Sequence, residues 1–208
     1  MKKKALIFDL DNTIYPVTSI GNKLFKSLFE RIEESGEYEG DLTEIKAEIM
    51  RRPFQHVAKD YKFSESLIAE GMNLLSDLTY EENMEPFEGY EHARKIPCKK
   101  FLVTTGFSKL QHSKIRQLNI EKDFEKIVVV DPAISDLKKI DIFRNILRDY
   151  NYSADEVLVI GDDLNSEIKA AKELGIDAVL YDYKAEHSAS ESQKFIRNFK
   201  ELEFYIGI

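Results

Sequence analysis

The sequence predicts an α/β protein built on a parallel sheet, with a helical insertion after the first strand. Three observations lead there. Five short apolar runs are continuous rather than alternating, as expected of strands covered on both faces. Segments with helical spacing separate the last four runs, and repeated strand–helix–strand units imply parallel strands joined by right-handed crossovers. Between the first and second runs lie roughly seventy residues with helical periodicity and no strand, too long for an ordinary α/β connection.

Ala5-Leu6-Ile7-Phe8 opens the series. The insertion, residues 16–85, carries apolar residues at helical intervals: Leu24, Leu28 and Ile32, then Ile45 and Ile49, then Leu67, Ile68, Leu74 and Leu75. Gly36 and Gly40 around Tyr38, and Arg52-Pro53, mark its internal breaks, and Met84-Glu85-Pro86-Phe87 its exit. Phe101-Leu102-Val103 is the second strand, followed by a helix marked by Leu110, Ile115 and Leu118. Ile127-Val128-Val129-Val130 is the third, with Ile142, Phe143, Ile146 and Leu147 on the next helix. Val157-Leu158-Val159-Ile160 is the fourth. Ile168, Ala171 and Leu174 follow, with Gly175 placed as a C-terminal cap, and Ala178-Val179-Leu180 is the fifth strand. One more helix and a tail are expected from Ser190. Residues 1–15 and 86–208 would together form the core.

Of 208 residues, 43% are hydrophobic and 33% charged, enough apolar material for a sizeable core. Thirty basic and thirty-eight acidic side chains leave a net charge of −8. Such a field disfavours nucleic acid, yet admits a small phosphorylated substrate, because a bound cation reverses the local sign. No apolar run approaches the ~20 residues that cross a bilayer. Asp9 and Asp11 interrupt the run behind Met1-Lys2-Lys3-Lys4, which argues against a secretory signal. Cys98 is the single cysteine and cannot form an internal disulfide, so a reducing cytoplasm is expected, with Cys98 read as a packed hydrophobe.

In an open parallel sheet the ligand crevice lies at the carboxyl ends of the strands. The residues found there are Asp9-Leu10-Asp11-Asn12-Thr13, Thr104-Thr105-Gly106, Asp131 with Lys138 and Lys139 further on, and Gly161-Asp162-Asp163-Leu164-Asn165-Ser166-Glu167. Asp9, Asp11 and Asp162 would converge, and like charges so close need a counter-charge. A hard, oxygen-preferring cation answers that need, and Mg²⁺ is the usual one, with Asp9, Asp11 and Asp162 as its expected ligands. Asp9 is then a candidate nucleophile towards phosphorus. Asp11 would protonate the leaving alcohol and afterwards activate water. Thr104, the Thr105 backbone N–H and Lys138 would bind the transferring phosphoryl group and stabilise its charge. Asp131, before Pro132, reads as turn chemistry.

In order, strand context and spacing, these four segments resemble the four motifs of the haloacid-dehalogenase-like (HAD) hydrolase superfamily, over residues 1–15 and 86–182. The resemblance implies a Rossmann-like core and Mg²⁺-dependent phosphoryl transfer through Asp9, with an acid/base role for Asp11. It also implies Thr104 and Lys138 as phosphate ligands and Asp162 as a metal ligand. The insertion is similar to the helical cap domain of the first cap class, which shields the site and selects substrates. Two positions depart from the pattern. The lysine motif often continues with proline, whereas Lys139 follows Lys138 here; Lys138 is favoured and Lys139 is the alternative. The second acid of the fourth motif is Glu167 rather than the commoner aspartate, with Asp163 as an alternative; the longer glutamate would act through a metal-bound water.

The expected function is a Mg²⁺-dependent phosphomonoester hydrolase acting on a small phosphorylated metabolite through an aspartyl-phosphate. A dehalogenase of the same superfamily lacks an aspartate two residues after the nucleophile, so Asp11 speaks against it, whereas a phosphosugar mutase differs mainly in the cap. A receiver-like signalling domain has its acidic cluster at the first strand, its phosphoacceptor on a later one and no large insertion. A non-catalytic binding protein would not need every catalytic position filled. Ile14-Tyr15-Pro16 is similar to members acting on pyrimidine nucleotides, while sugar phosphates and phosphoglycolate-like acids fit a helical cap equally well. His56, His92, His112 and His187 lack the spacing of a zinc site, and no Walker or dinucleotide loop occurs. Arg51-Arg52-Pro53-Phe54 reads first as a solvated helix end, with contact to an anionic substrate as the alternative.

Overall fold

The computed structural model describes residues 2–187 and 194–207. Its six strands are β1 (Ala5–Phe8), β2 (Lys99–Thr105), β3 (Lys126–Val130), β4 (Val157–Gly161), β5 (Asp177–Tyr181) and β6 (Phe195–Ile196). They form one sheet in the order β3-β2-β1-β4-β5-β6, with every neighbouring pair parallel. The chain runs outwards from β1 to one side through β2 and β3, then returns to the other through β4. The strand order therefore reverses between β1 and β4, the place where such sheets open a ligand crevice.

Alternation along the strands sorts the core into two faces. Leu6, Phe8, Leu102, Leu158 and Ile160 belong to one buried cluster, which continues into the insertion. Ala5, Ile7, Phe101, Val103, Val157 and Val159 belong to the other. That second face packs under α8 (Lys139–Asp149) and α9 (Glu167–Glu173), which contribute Ile142, Phe143, Ile146, Ala170 and Ala171. Both faces of β1 are thus covered, which is why it reads as an unbroken apolar run.

Between β1 and β2 the chain forms α1 (Gly21–Leu24), α2 (Lys26–Ser35), α3 (Leu42–Ile49), α4 (Phe54–Asp60) and α5 (Glu65–Asp77), with no strand among them. The Asp41 carboxylate accepts from the N–H groups of Thr43 and Glu44 at the start of α3, and Ser64 accepts from Leu67 at the start of α5. Helices α4 and α5 approach so closely that a methyl group on Gly71 would overlap the Phe54 ring. Three helices complete the set in the remainder of the chain: α6 (Tyr90–Lys95) and α7 (Ser108–Gln117) flank β2, and α10 (Glu203–Ile206) closes the C-terminus.

The C-terminal segment departs from expectation. Phe195–Ile196 adds a strand to β5, and a 3₁₀ turn (Phe199–Leu202) leads into α10. Two residues are too short a run to announce a strand. Phe199 then packs its ring against Phe8, Tyr90 and Tyr181. The expectation for residues 190–193 falls outside the described residues. Among the described residues no helix is long and apolar enough to cross a membrane.

Candidate active site

Strand register decides which side chains meet. Phe8 lies opposite Leu102 on one side and Ile160 on the other, so residues 9, 103–105 and 161–162 emerge at one edge. The Asp9 N–H continues the ladder by donating to the Ile160 carbonyl at 3.0 Å. The chain then turns sharply at Asn12, whose φ of 56° is a left-handed conformation that asparagine tolerates better than most residues. The Asn12 side-chain oxygen secures the turn by accepting from the Val17 N–H and the Tyr183 hydroxyl.

Asp9, Asp162 and Glu167 each offer a carboxylate oxygen, and the three atoms lie within 4.8 Å of one another. The Lys139 ammonium donates to Asp9 Oδ1 at 2.6 Å and to Glu167 Oε2 at 2.7 Å. Oε1 of Glu167 accepts the Asp163 N–H at 2.7 Å. Burial pushes Asp9 upward from the usual carboxylate range, Lys139 offsets part of that shift, and the Glu167 charge adds to it. Asp162 is also raised, by burial first and then by the charges of Asp9 and Glu167. For Glu167 the balance tips the other way: burial works against ionisation, but Lys139 and the Asp163 N–H hold it below its ordinary value. Lys139 stays firmly protonated, since its two carboxylate partners outweigh its own burial.

The lysine at the centre is Lys139, not the favoured Lys138. Lys138 is exposed at the N-cap of α8, where its backbone N–H donates to Asp141. Residue 139 opens the helix three and four positions before Ile142 and Phe143 and so shares their core-facing stripe, while residue 138 is the N-cap, with extended backbone outside the helix.

Asp11 also departs from expectation: its carboxylate is not part of the three-acid group. Oδ1 accepts from the Tyr15 hydroxyl at 2.5 Å and from Lys114 at 2.8 Å, and Oδ2 accepts from Gln111 at 2.8 Å. Asp11 sits beyond the end of β1 on a turn that pairs it with Tyr15, and that turn presents it to α7 rather than to Asp162. Burial works to raise its pKa, but the Lys114 charge and the three hydrogen bonds outweigh it and hold the carboxyl below its ordinary value.

Thr104 is buried at the end of β2, and its hydroxyl oxygen accepts from Gln111 at 2.7 Å. The carbonyl of Thr105 receives a longer contact from the same amide, at 3.3 Å. Asp131 accepts from the N–H groups of Ser108 and Ala133, which is turn and helix-start chemistry as expected. Lys114, Gln111 and Tyr15 had not been singled out as site residues. The signal in the sequence is two polar residues at helical spacing, Gln111 and Lys114, three apart and each next to an apolar residue of the same helix, Leu110 and Ile115.

A cavity of about 250 Å³ opens beside Asp162. Asn12, Asp163 and Tyr183 line it, and Arg51 of the insertion reaches its wall while bonded twice to Glu48, at 3.0 and 2.9 Å. Asp9, Asp162 and Glu167 make a donor set of hard oxygens that suits a divalent cation such as Mg²⁺. Asp162 is the most telling member: its hydrogen bond from the Thr13 hydroxyl is long, 3.5 Å, for a carboxylate crowded by two others. Among the described residues no histidine joins an acid or cysteine cluster of metal-binding size.

A sequence profile of the haloacid dehalogenase-like hydrolases matches residues 6–181. A glyceraldehyde 3-phosphate phosphatase from Methanopyrus kandleri is 23% identical over 197 residues, covering 85% of this chain and 82% of that protein. A ribulose-1,5-bisphosphate 5-phosphatase from Halopiger xanaduensis is 24% identical over 221 residues, covering 90% and 88%. Among solved structures, a haloacid dehalogenase-like hydrolase from Streptococcus pneumoniae superposes with a TM-score of 0.71 at 16% identity, covering 98% of both chains. The profile spans most of the chain, from β1 to the end of β5, and on that match the chain belongs to the haloacid dehalogenase-like hydrolase family.

Proposed function

We propose that this protein is a phosphomonoester hydrolase that transfers the phosphoryl group of a small phosphorylated metabolite to Asp9 and then to water. The observation that carries the reading is the meeting of Asp9, Lys139, Asp162 and Glu167 at the strand edge where Thr104 also ends. The position of Asp9 at the end of the central strand supports its oxygen as the one that attacks phosphorus. As that O–P bond forms, the bond to the leaving alcohol breaks, and its electron pair stays on the alcohol oxygen; Asp11, held ionised by its three donors, first takes a proton from solvent and relays it to that oxygen. Water then attacks phosphorus, the bond to Asp9 breaks, and Asp11 receives the water proton. Lys139 and the Thr104 hydroxyl stabilise charge on the phosphoryl oxygens.

Asp9 and Asp162, with Glu167 beside them, would hold Mg²⁺; when bound, it supplies positive charge to the carboxylates and the phosphoryl oxygens. The insertion, residues 16–85, acts as the cap, with Arg51 in the cavity wall. A short phosphorylated sugar or acid is the substrate in keeping with the relatives' names.

The test is phosphate release from a panel of short phosphomonoesters, with Mg²⁺ or EDTA, for the wild type and Asp9→Asn. Release that needs Mg²⁺ and disappears in Asp9→Asn supports the reading. Release that survives both treatments overturns it.

A further inference from the structure

Helix α7 buries three polar side chains, Gln111, Ser113 and Lys114, and two of them, Gln111 and Lys114, end on Asp11. Lys114 is 3% exposed and Gln111 1%. An ammonium so deeply placed is costly unless paired. Lys114 is paired with a residue 103 positions earlier in the chain, Asp11 Oδ1, at 2.8 Å. Its ammonium also lies 5.8 Å from the centre of the Tyr15 ring, whose hydroxyl donates to the same oxygen. Gln111 holds the other oxygen and, with the same nitrogen, the hydroxyl oxygen of Thr104. Because that hydroxyl oxygen accepts from Gln111, its proton is left to donate to a phosphoryl oxygen.

We infer that Lys114 and Gln111 are positioning residues, which fix the carboxylate of Asp11 for proton transfer and tie it through one amide to the phosphate-binding hydroxyl of Thr104. The inference rests on the hydrolase reading above. Three donors set both oxygens of Asp11, two from α7 and the Tyr15 hydroxyl from its own turn, so its rotamer is determined by α7 together with that turn. Without the clamp the carboxylate turns away from the leaving oxygen, and proton delivery fails while Asp9 still attacks. A lysine that merely fastened α7 to the first loop would affect every step alike.

The leaving group separates these cases. An alkoxide needs a proton to depart, whereas 4-nitrophenolate leaves without one, so the first turnover of 4-nitrophenyl phosphate bypasses the acid. The experiment is steady-state and rapid-quench kinetics with glycerol 1-phosphate and 4-nitrophenyl phosphate for Lys114→Met, Lys114→Arg and Gln111→Ala. For Lys114→Met and Gln111→Ala the expected result with the alkyl ester is a kcat lower by on the order of 10²-fold at little-changed KM. With the aryl ester the first-turnover burst of nitrophenolate is retained, and phosphorylated enzyme accumulates behind it. Lys114→Arg restores part of the alkyl rate.

An unchanged alkyl kcat, or a first turnover lost equally with both esters, overturns the inference. Gln111→Ala leaves no buried charge unpaired, so it carries the comparison should Lys114→Met fail to fold. Asp9→Asn, run alongside, separates the two readings. If it is inactive while the wild type turns over, a negative result concerns the clamp alone; if it is active, the hydrolase reading itself fails.

Discussion

Lys139 Nζ lies 2.6 Å from Asp9 Oδ1 with both side chains buried, and the same ammonium reaches Glu167. Breaking a buried pair from one side leaves the other charge without compensation, at a cost of about 3–5 kcal/mol. Lys139→Met should therefore unfold at distinctly lower urea and lose activity. Lys138→Ala removes an exposed side chain and keeps the backbone N–H that bonds Asp141, so its stability should stay within ~0.5 kcal/mol of wild type. Urea unfolding and phosphate release on the two variants check the assignment. The reverse ranking would return the site to Lys138.

Gly161 is a glycine because of Glu167. A methyl group at position 161 would overlap Cγ, Cδ and Oε1 of that buried glutamate, which is held at both oxygens and cannot move aside. Gly161→Ala should displace Glu167 from Lys139, lowering stability by about 1–3 kcal/mol, as an overpacked core does. It should also weaken Mg²⁺ binding as read by calorimetry. A variant with wild-type stability and Mg²⁺ affinity would show that the loop absorbs the methyl freely.

Much of this was legible before any coordinates. Each of the five apolar runs became a strand, and in β1, β2 and β4 burial on both faces wrote itself into consecutive residues, whereas the edge strand β3 is only half-buried. Gly175 follows α9 with a φ of +70°, the left-handed conformation its position implied. The lysine stays open between Lys138, the favoured one, and Lys139 in the sequence because motif spacing fixes a segment, whereas the helix phase set by Ile142 and Phe143 fixes which side chain turns inward. Asp11 was placed with the metal ligands because proximity along the chain to Asp9 suggested it. What draws it elsewhere, Lys114 and Gln111, is a hundred residues away and arrives only through folding of α7. Helices α4 and α6 are legible only as helix-like surroundings of His56 and His92: at seven and six residues, neither is long enough to show a clear period.

Asp162 stands in tension between stability and function. Burial and the charges of Asp9 and Glu167 raise its pKa in the folded protein above that of an unfolded chain. Below the unfolded value, about 3.9 for an aspartate, the group is neutral in both states and costs nothing. As pH rises from there through the raised folded value, the metal-free protein must carry an ill-compensated charge, and stability falls. Asp162→Asn removes that liability, so without metal its Tm should exceed that of wild type, by a margin that widens between pH 4 and pH 8. Added Mg²⁺ should reverse the order. At one hundred times its dissociation constant, a ligand that binds only the folded state stabilises it by about 2.7 kcal/mol, and the asparagine variant forgoes most of that gain. Thermal unfolding of both proteins across this pH range, with Mg²⁺ and with EDTA, reads the effect directly. Equal Tm values in EDTA at every pH, or equal Mg²⁺ shifts in the two proteins, would mean that Asp162 neither strains the metal-free fold nor binds the ion.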